Sequence, residues 1–147
     1  MIACLDTSAL VKLYVEEPGS ADVRALVQAA AASATSVVAY TEARAALARR
    51  HRQGELAAAD LRRAVKALDF DWNRLAVVGL DISLTRRAGE LAEARALRGY
   101  DAIHLASALA LRDRVSTAPL FACYDANLAR AAQAEGLEVR GTAPEKA

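Results

Sequence analysis

Ile2-Ala3-Cys4-Leu5-Asp6-Thr7-Ser8-Ala9-Leu10 opens the chain and decides how the rest is read. An apolar run without alternation, closed by an aspartate, reads as a strand buried on both faces, and strands of that kind belong to parallel sheets. Thr7 or Ser8 is placed to cap a helix running to about residue 16. The same unit then recurs. Pro18-Gly19-Ser20 breaks the chain before a helix over residues 21–31, and residues 33–36 form a short strand by their place in the pattern. Helices over 37–53 and 55–72 are separated only by Gly54, so they pair as an antiparallel hairpin. Leu61, Val65, Leu68 and Trp72 recur at helical spacing on the second of them. A strand over 75–80 leads to a helix over 81–98, capped by Asp81 or Ser83 and broken by Gly99. A helix over 100–111, a strand over 120–124 ending at Asp125, a helix over 126–135 closed by Gly136 and a strand over 137–140 complete the series. Strands alternating with helices predict an α/β fold, a three-layer α/β/α sandwich around a parallel sheet of four or five strands.

With 147 residues the chain is one domain by size, expected over residues 1–141 with a flexible tail over 142–147. Hydrophobic residues make up 54% and charged residues 25%, which excludes a disordered polyelectrolyte. No apolar run is long enough for a membrane span, and the start lacks the basic, apolar and small-residue order of a signal peptide. Cys4 and Cys123 lie inside apolar runs and read as buried, reduced thiols of a cytoplasmic protein, too few for a zinc site. A net charge of +1 does not by itself mark a nucleic-acid binder. Arginine outnumbers lysine sixteen to three, so any phosphate recognition rests on local guanidinium clusters.

In open parallel sheets ligands bind beyond the carboxyl ends of the strands. Asp6 and Asp125 fall there, each closing a strand. Asp101 opens a helix that is apolar nearly all round, so its first turn should pack against the sheet. Glu42 has Val38 and Ala46 one turn to either side, an unusual setting for a charge that neither pairs nor binds something. Each acid alone has an ordinary reading as a cap, a turn residue or a half-exposed helix residue. Together they raise a charge conflict, because neighbouring carboxylates push one another's pKa upward and a divalent cation removes the conflict. An all-oxygen donor set points to Mg²⁺ or Mn²⁺, and such an ion suits phosphodiester hydrolysis by water.

Four stretches carry a resemblance to a known family. Cys4-Leu5-Asp6-Thr7-Ser8-Ala9-Leu10 resembles the opening strand and turn of PIN-domain nucleases, and Tyr40-Thr41-Glu42 their second acidic site. Tyr100-Asp101-Ala102-Ile103-His104-Leu105-Ala106 resembles the third motif, and Phe121 to Asp125 with Leu128, Ala131 and Ala132 the fourth. The short single-domain length is similar to the VapC toxins of VapBC toxin–antitoxin pairs. The resemblance implies a PIN-like sandwich, an Mg²⁺- or Mn²⁺-dependent endoribonuclease, a small cognate VapB-like antitoxin and a homodimer. It implies that Asp6, Glu42 and Asp101 hold the metal, that Asp125 completes the site directly or through water, and that Ser8 supports Asp6. Two positions depart from the pattern: Cys123 stands where relatives often have threonine, and Asn127 where some carry a further acid.

His104, one turn after Asp101, is a candidate for substrate contact or proton transfer, although a histidine on an apolar helix more often serves as a hydrogen-bonded core residue. Arg49 and Arg50, in the run Arg49-Arg50-His51-Arg52, and the pair Arg86-Arg87 are candidate RNA-phosphate contacts, with solvated helix surfaces as the plain alternative. Tyr14, Tyr40 and Trp72 are expected in the core. The hairpin over 37–72 is the expected docking surface of an antitoxin segment. Two other functions fit parts of the pattern. A phosphorylated receiver domain would use Asp81, but no acidic pair follows the first strand and Lys146 lies in the tail. A catalytically silent partner-binding scaffold would not need all four acids.

Overall fold

The structure is a computed structural model and residues 1–141 are described. In chain order the elements are β1 (Ile2–Leu5), α1 (Thr7–Val11), α2 (Ser20–Ala29), β2 (Ala32–Ser36), α3 (Val38–Arg52) and α4 (Ala58–Trp72), then β3 (Ala76–Val78), α5 (Ile82–Arg95), α6 (Gly99–Arg112), β4 (Leu120–Ala122), α7 (Ala126–Ala134) and β5 (Glu138–Arg140). The five strands form one parallel sheet in the order β3-β2-β1-β4-β5. The chain starts at the centre with β1, winds outward through β2 and β3, then returns to the other side of β1 for β4 and β5. The expected tail over 142–147 lies outside the described residues.

Side chains of β1 alternate between two cores. Ala3 and Leu5 join Leu10, Val23, Leu47 and Leu68 on one face of the sheet. Cys4 joins Leu105, Leu109, Phe121 and Leu128 on the other. Helices α1 to α4 therefore cover one face and α5 to α7 the second, which makes the predicted three layers. Leu5, Leu10, Leu47, Leu68, Leu105 and Leu128 are fully buried, each contributing about 2 kcal/mol of hydrophobic stabilisation. Alanines at the helix contacts (Ala9, Ala39, Ala43, Ala102, Ala106) keep the layers close to the sheet. Thr35 is polar but buried in β2, and its hydroxyl donates to the Leu5 carbonyl at 2.8 Å.

Several boundaries differ from the sequence reading, each for a local reason. Asp6, not Thr7 or Ser8, caps α1. That helix ends at Val11, where the chain tightens into short turns through Tyr14. Gly99 does not break α5: Ala96 ends it in the left-handed conformation (φ 53°), and Gly99 is the first residue of α6. Asp101 lies in the first turn of α6 but does not cap it. β4 stops at Ala122, so Asp125 is the cap of α7 rather than the end of a strand. Tyr14, Tyr40 and Trp72 are only partly buried against the core. The hydroxyl of Tyr14 donates to Asp71 and that of Tyr40 to Asp69.

Candidate active site

Strand order reverses between β1 and β4, and a parallel sheet opens a crevice at such a point. Asp6 leaves β1 there. Its backbone amide donates to the Ala122 carbonyl at 3.0 Å, tying the ends of β1 and β4 together. Its carboxylate accepts from Ser8 Oγ at 2.7 Å and from the Ala9 amide at 2.9 Å. Ser8 Oγ in turn accepts from the Tyr124 amide at 3.2 Å, so this hydroxyl joins the turn after β1 to the turn after β4. Asp6 is only 4% exposed and forms no ion pair among the described residues. Burial pushes its carboxyl pKa up, outweighing the hydrogen bonds from Ser8 and Ala9 that pull it down.

Glu42 reaches the crevice from α3. Thr7 Oγ1 donates to its Oε1 at 2.7 Å, and His104 Nε2 lies 2.8 Å from the same oxygen and 3.0 Å from Thr7 Oγ1. With the hydroxyl proton directed to Glu42, both oxygens offer lone pairs to Nε2, so the network assigns a proton to that nitrogen. His104 is 3% exposed. It therefore sits behind Glu42 as a hydrogen-bonded core group, the plainer of the two roles the sequence offered for it. Burial would raise the Glu42 carboxyl, but the bonds from His104 and Thr7, with the charges of His104 and Arg98, bring it below its ordinary value.

Asp101 and Asp125 complete the rim. Asp125 caps α7 by accepting from the Leu128 amide at 2.8 Å. Arg98 lies between the two acids: its Nε donates to Asp101 Oδ2 at 3.0 Å, and its Nη2 is 3.8 Å from Asp125 Oδ2. Among the described residues no three His, Cys, Asp or Glu side chains are already disposed to hold a metal ion. The donors themselves, all carboxylate oxygens with one buried acid that has no ion pair among the described residues, fit a hard dication in their chemistry. The two departures are also placed. Cys123 Sγ approaches the Asp125 carbonyl at 4.0 Å, and Asn127 donates to the Ala96 carbonyl at 3.0 Å, away from the acids.

Beside the acids lies a cavity of about 580 Å³ whose lining includes Thr7, Ser8, Glu42, Arg49, Arg50 and Arg98. Arg49 and Arg50 thus share one opening with Glu42. Arg50 is also paired with Glu17, which binds Lys12 at 2.9 Å. Lys12 Nζ stands 4.3 Å from the centre of the Tyr124 ring. Arg86 and Arg87 are not brought to this opening, since α5 lies on the other face of the sheet. Arg87 pairs with Asp113 at 2.8 Å. Asp81 caps α5, accepting from the Leu84 amide at 2.8 Å, and has an ordinary structural role there. Sequence reasoning missed Thr7 as a partner of Glu42 and missed Arg98 altogether. Arg98 stands three residues before Asp101, a spacing at which helical side chains meet, and that was the available signal.

The family model described as PIN domain matches residues 3–138. Ribonuclease VapC45 of Mycobacterium tuberculosis is 40% identical over 134 residues, which is 91% of each chain. Among solved structures, Mycobacterium tuberculosis VapC20, described as a sarcin–ricin loop cleaving toxin, superposes with a TM-score of 0.65 at 19% identity, covering 93% of this chain and 96% of that one. VapBC2 from Rickettsia felis, described as bound to a DNA fragment from the promoter, gives 0.62 at 15% identity, covering 95% of this chain and 98% of that one. Because the match begins in the central strand and runs into the last one, it takes in all four crevice acids, and the chain belongs to the PIN domain family.

Proposed function

We propose that the protein is a metal-dependent endoribonuclease that hydrolyses RNA phosphodiester bonds, acting as the toxin of a type II toxin–antitoxin pair. The observation that carries this reading is Asp6: a carboxylate buried at the reversal point of the sheet, without an ion pair among the described residues, with three further acids around the same edge. The names of the relatives, a ribonuclease and a sarcin–ricin loop cleaving toxin, support RNA as the substrate class. The VapBC2 assembly supports a small antitoxin as the partner, and we place its docking on α3 and α4, with a homodimer as the assembly.

In this reading Asp6, Glu42 and Asp101 hold Mg²⁺ or Mn²⁺, with Asp125 completing the site. When bound, the ion acidifies a water for in-line attack and offsets charge on the phosphodiester. Thr7 and His104 fix the rotamer of Glu42 and keep it ionised. Ser8 fixes Asp6 and holds the turn that leads to Asp125. Arg49 is an exposed guanidinium at the same opening, suited to a neighbouring RNA phosphate.

Protein stripped with a chelator should leave RNA intact, and Mn²⁺ or Mg²⁺ should restore cleavage to fragments with 5′-phosphate ends. Asp6→Asn and Asp101→Asn should lower turnover by roughly a thousandfold or more while the circular dichroism spectrum is kept. Cleavage that persists in both variants, or in excess chelator, would remove the acids from the chemistry and favour the silent scaffold instead.

A further inference from the structure

Arg98 is the cation that the rim already possesses. Its guanidinium joins two acids from different elements: Asp101 in the first turn of α6 and Asp125 at the start of α7. A fork with donors at Nε and Nη2 can span such a pair, which a single ammonium point charge does less well. The side chain is 79% exposed and follows the left-handed turn at Ala96, so it is held mainly by these two acids. Exposed ion pairs are weak and give way readily to a stronger charge.

We propose that Arg98 is a built-in counter-ion: its guanidinium and a dication are alternative occupants of the space between Asp101 and Asp125, and the ion seats by displacing it. This rests on the metal site proposed above. A carboxylate oxygen on Mg²⁺ or Mn²⁺ lies about 2.1 Å from the ion. Asp101 Oδ2 already accepts from Arg98 Nε at 3.0 Å, so an ion on that oxygen would face a guanidinium of like charge at close range. Without either occupant, Asp101 and Asp125 would repel each other beside the buried Asp6. With an ion seated, the displaced guanidinium stays on the rim of the cavity that also carries Arg49 and Arg50, where an RNA phosphate is its natural partner.

The test is calorimetric titration of MnCl₂ into chelator-stripped wild type, Arg98→Gln and Asp101→Asn, with no RNA present. Arg98→Gln should bind Mn²⁺ about two- to tenfold more tightly than wild type, the scale on which one or two exposed ion pairs are lost. Its metal-free melting temperature should fall, because the acids lose their counter-charge, and Mn²⁺ should raise that temperature more than it does in wild type. Binding in wild type that Asp101→Asn abolishes but Arg98→Gln leaves unchanged or weakens would overturn the counter-ion role and leave the metal site standing. A purely structural role for Arg98 predicts that weakening, since the two acids would lose their alignment. No binding by wild type or Arg98→Gln would overturn both. Binding by Arg98→Gln alone would support the proposal in its strongest form.

Discussion

Replacing Thr7 by valine keeps the β-branched shape in the first turn of α1 and removes one hydroxyl. That hydroxyl donates to an ionised acceptor, Glu42 Oε1, at 2.7 Å. Hydrogen bonds to charged groups contribute roughly 1.5–3 kcal/mol. The Glu42 side chain is 28% exposed, so water replaces part of what is lost. His104 keeps its own bond to the carboxylate and is not orphaned. The expected destabilisation of Thr7→Val is therefore about 1–2 kcal/mol, measured by urea unfolding at pH 7. If the loss runs through Glu42, a cycle with Glu42→Ala should show a coupling of about 1 kcal/mol. Additivity to within about 0.3 kcal/mol would refute the assignment. The pH dependence gives a second check. Glu42 has a depressed pKa in the fold, so its stabilisation is complete above the ordinary value of 4.5 and is lost as pH falls through the folded value. Removing the Thr7 donor raises the folded value toward the ordinary one. The gap between wild type and variant should thus be full at pH 7 and close in acid. A gap unchanged at low pH would assign the loss to packing.

Glu17→Gln removes the shared partner of Lys12 and Arg50, and leaves an ammonium whose side chain is only 11% exposed without its anion. A loss of about 2–3 kcal/mol in urea unfolding is expected, and a stable variant would show that the Tyr124 ring alone suffices for Lys12. Gly19→Ala puts a Cβ 2.8 Å from the Tyr124 ring at φ +94°. It should cost about 1–3 kcal/mol by the same measurement and disturb the turn that carries Asp125; an unchanged midpoint would refute the close approach. Asp6→Asn retains an oxygen to accept from Ala9 and removes a buried charge. The metal-free protein should become more stable at pH 7 by about 1 kcal/mol while RNA cleavage is lost. Because the pKa of Asp6 is raised in the fold, its ionised form is a liability at neutral pH that eases as pH falls toward 3.8. The advantage of the variant should shrink over the same range, and a variant less stable than wild type at pH 7 would contradict the assignment.

The layers were legible in the sequence because burial on both faces leaves a short unbroken apolar run such as Ala3-Cys4-Leu5, and its length, set against the longer runs with helical spacing, separates strand from helix. Topology brought Asp6 and Asp125 to one edge for the same reason. Boundaries were less legible where two residues could serve one purpose. Asp6, Thr7 and Ser8 can each cap a helix, and the hydrogen bond to Ala9 selects Asp6 while freeing the two hydroxyls for Glu42 and Tyr124. Gly99 misled because glycine is the usual helix stop, yet Ala96 adopts the left-handed conformation instead. The long-range partners were not legible at all. Thr7 meets Glu42 across 35 residues and His104 across 97, and no local pattern encodes a contact set by how α3 and α6 lie on opposite sides of β1.

The four acids are neutralised unequally, and that inequality bears on how the site works. Glu42 is held ionised by two donors, and Asp101 and Asp125 share a guanidinium. Among the described residues Asp6 accepts from a hydroxyl and an amide, which together with nearby His104 do too little to offset its burial. The deepest carboxylate is thus the one with most to gain from a cation, whereas the rim acids already have one that solvent can take away. In the proposed metal site, cation affinity would come largely from relieving Asp6, and opposition to it from Arg98. On that proposal stability and activity would be set against each other at a single residue: removing the charge of Asp6 would make the fold easier to keep and weaken the hold of the crevice on an ion.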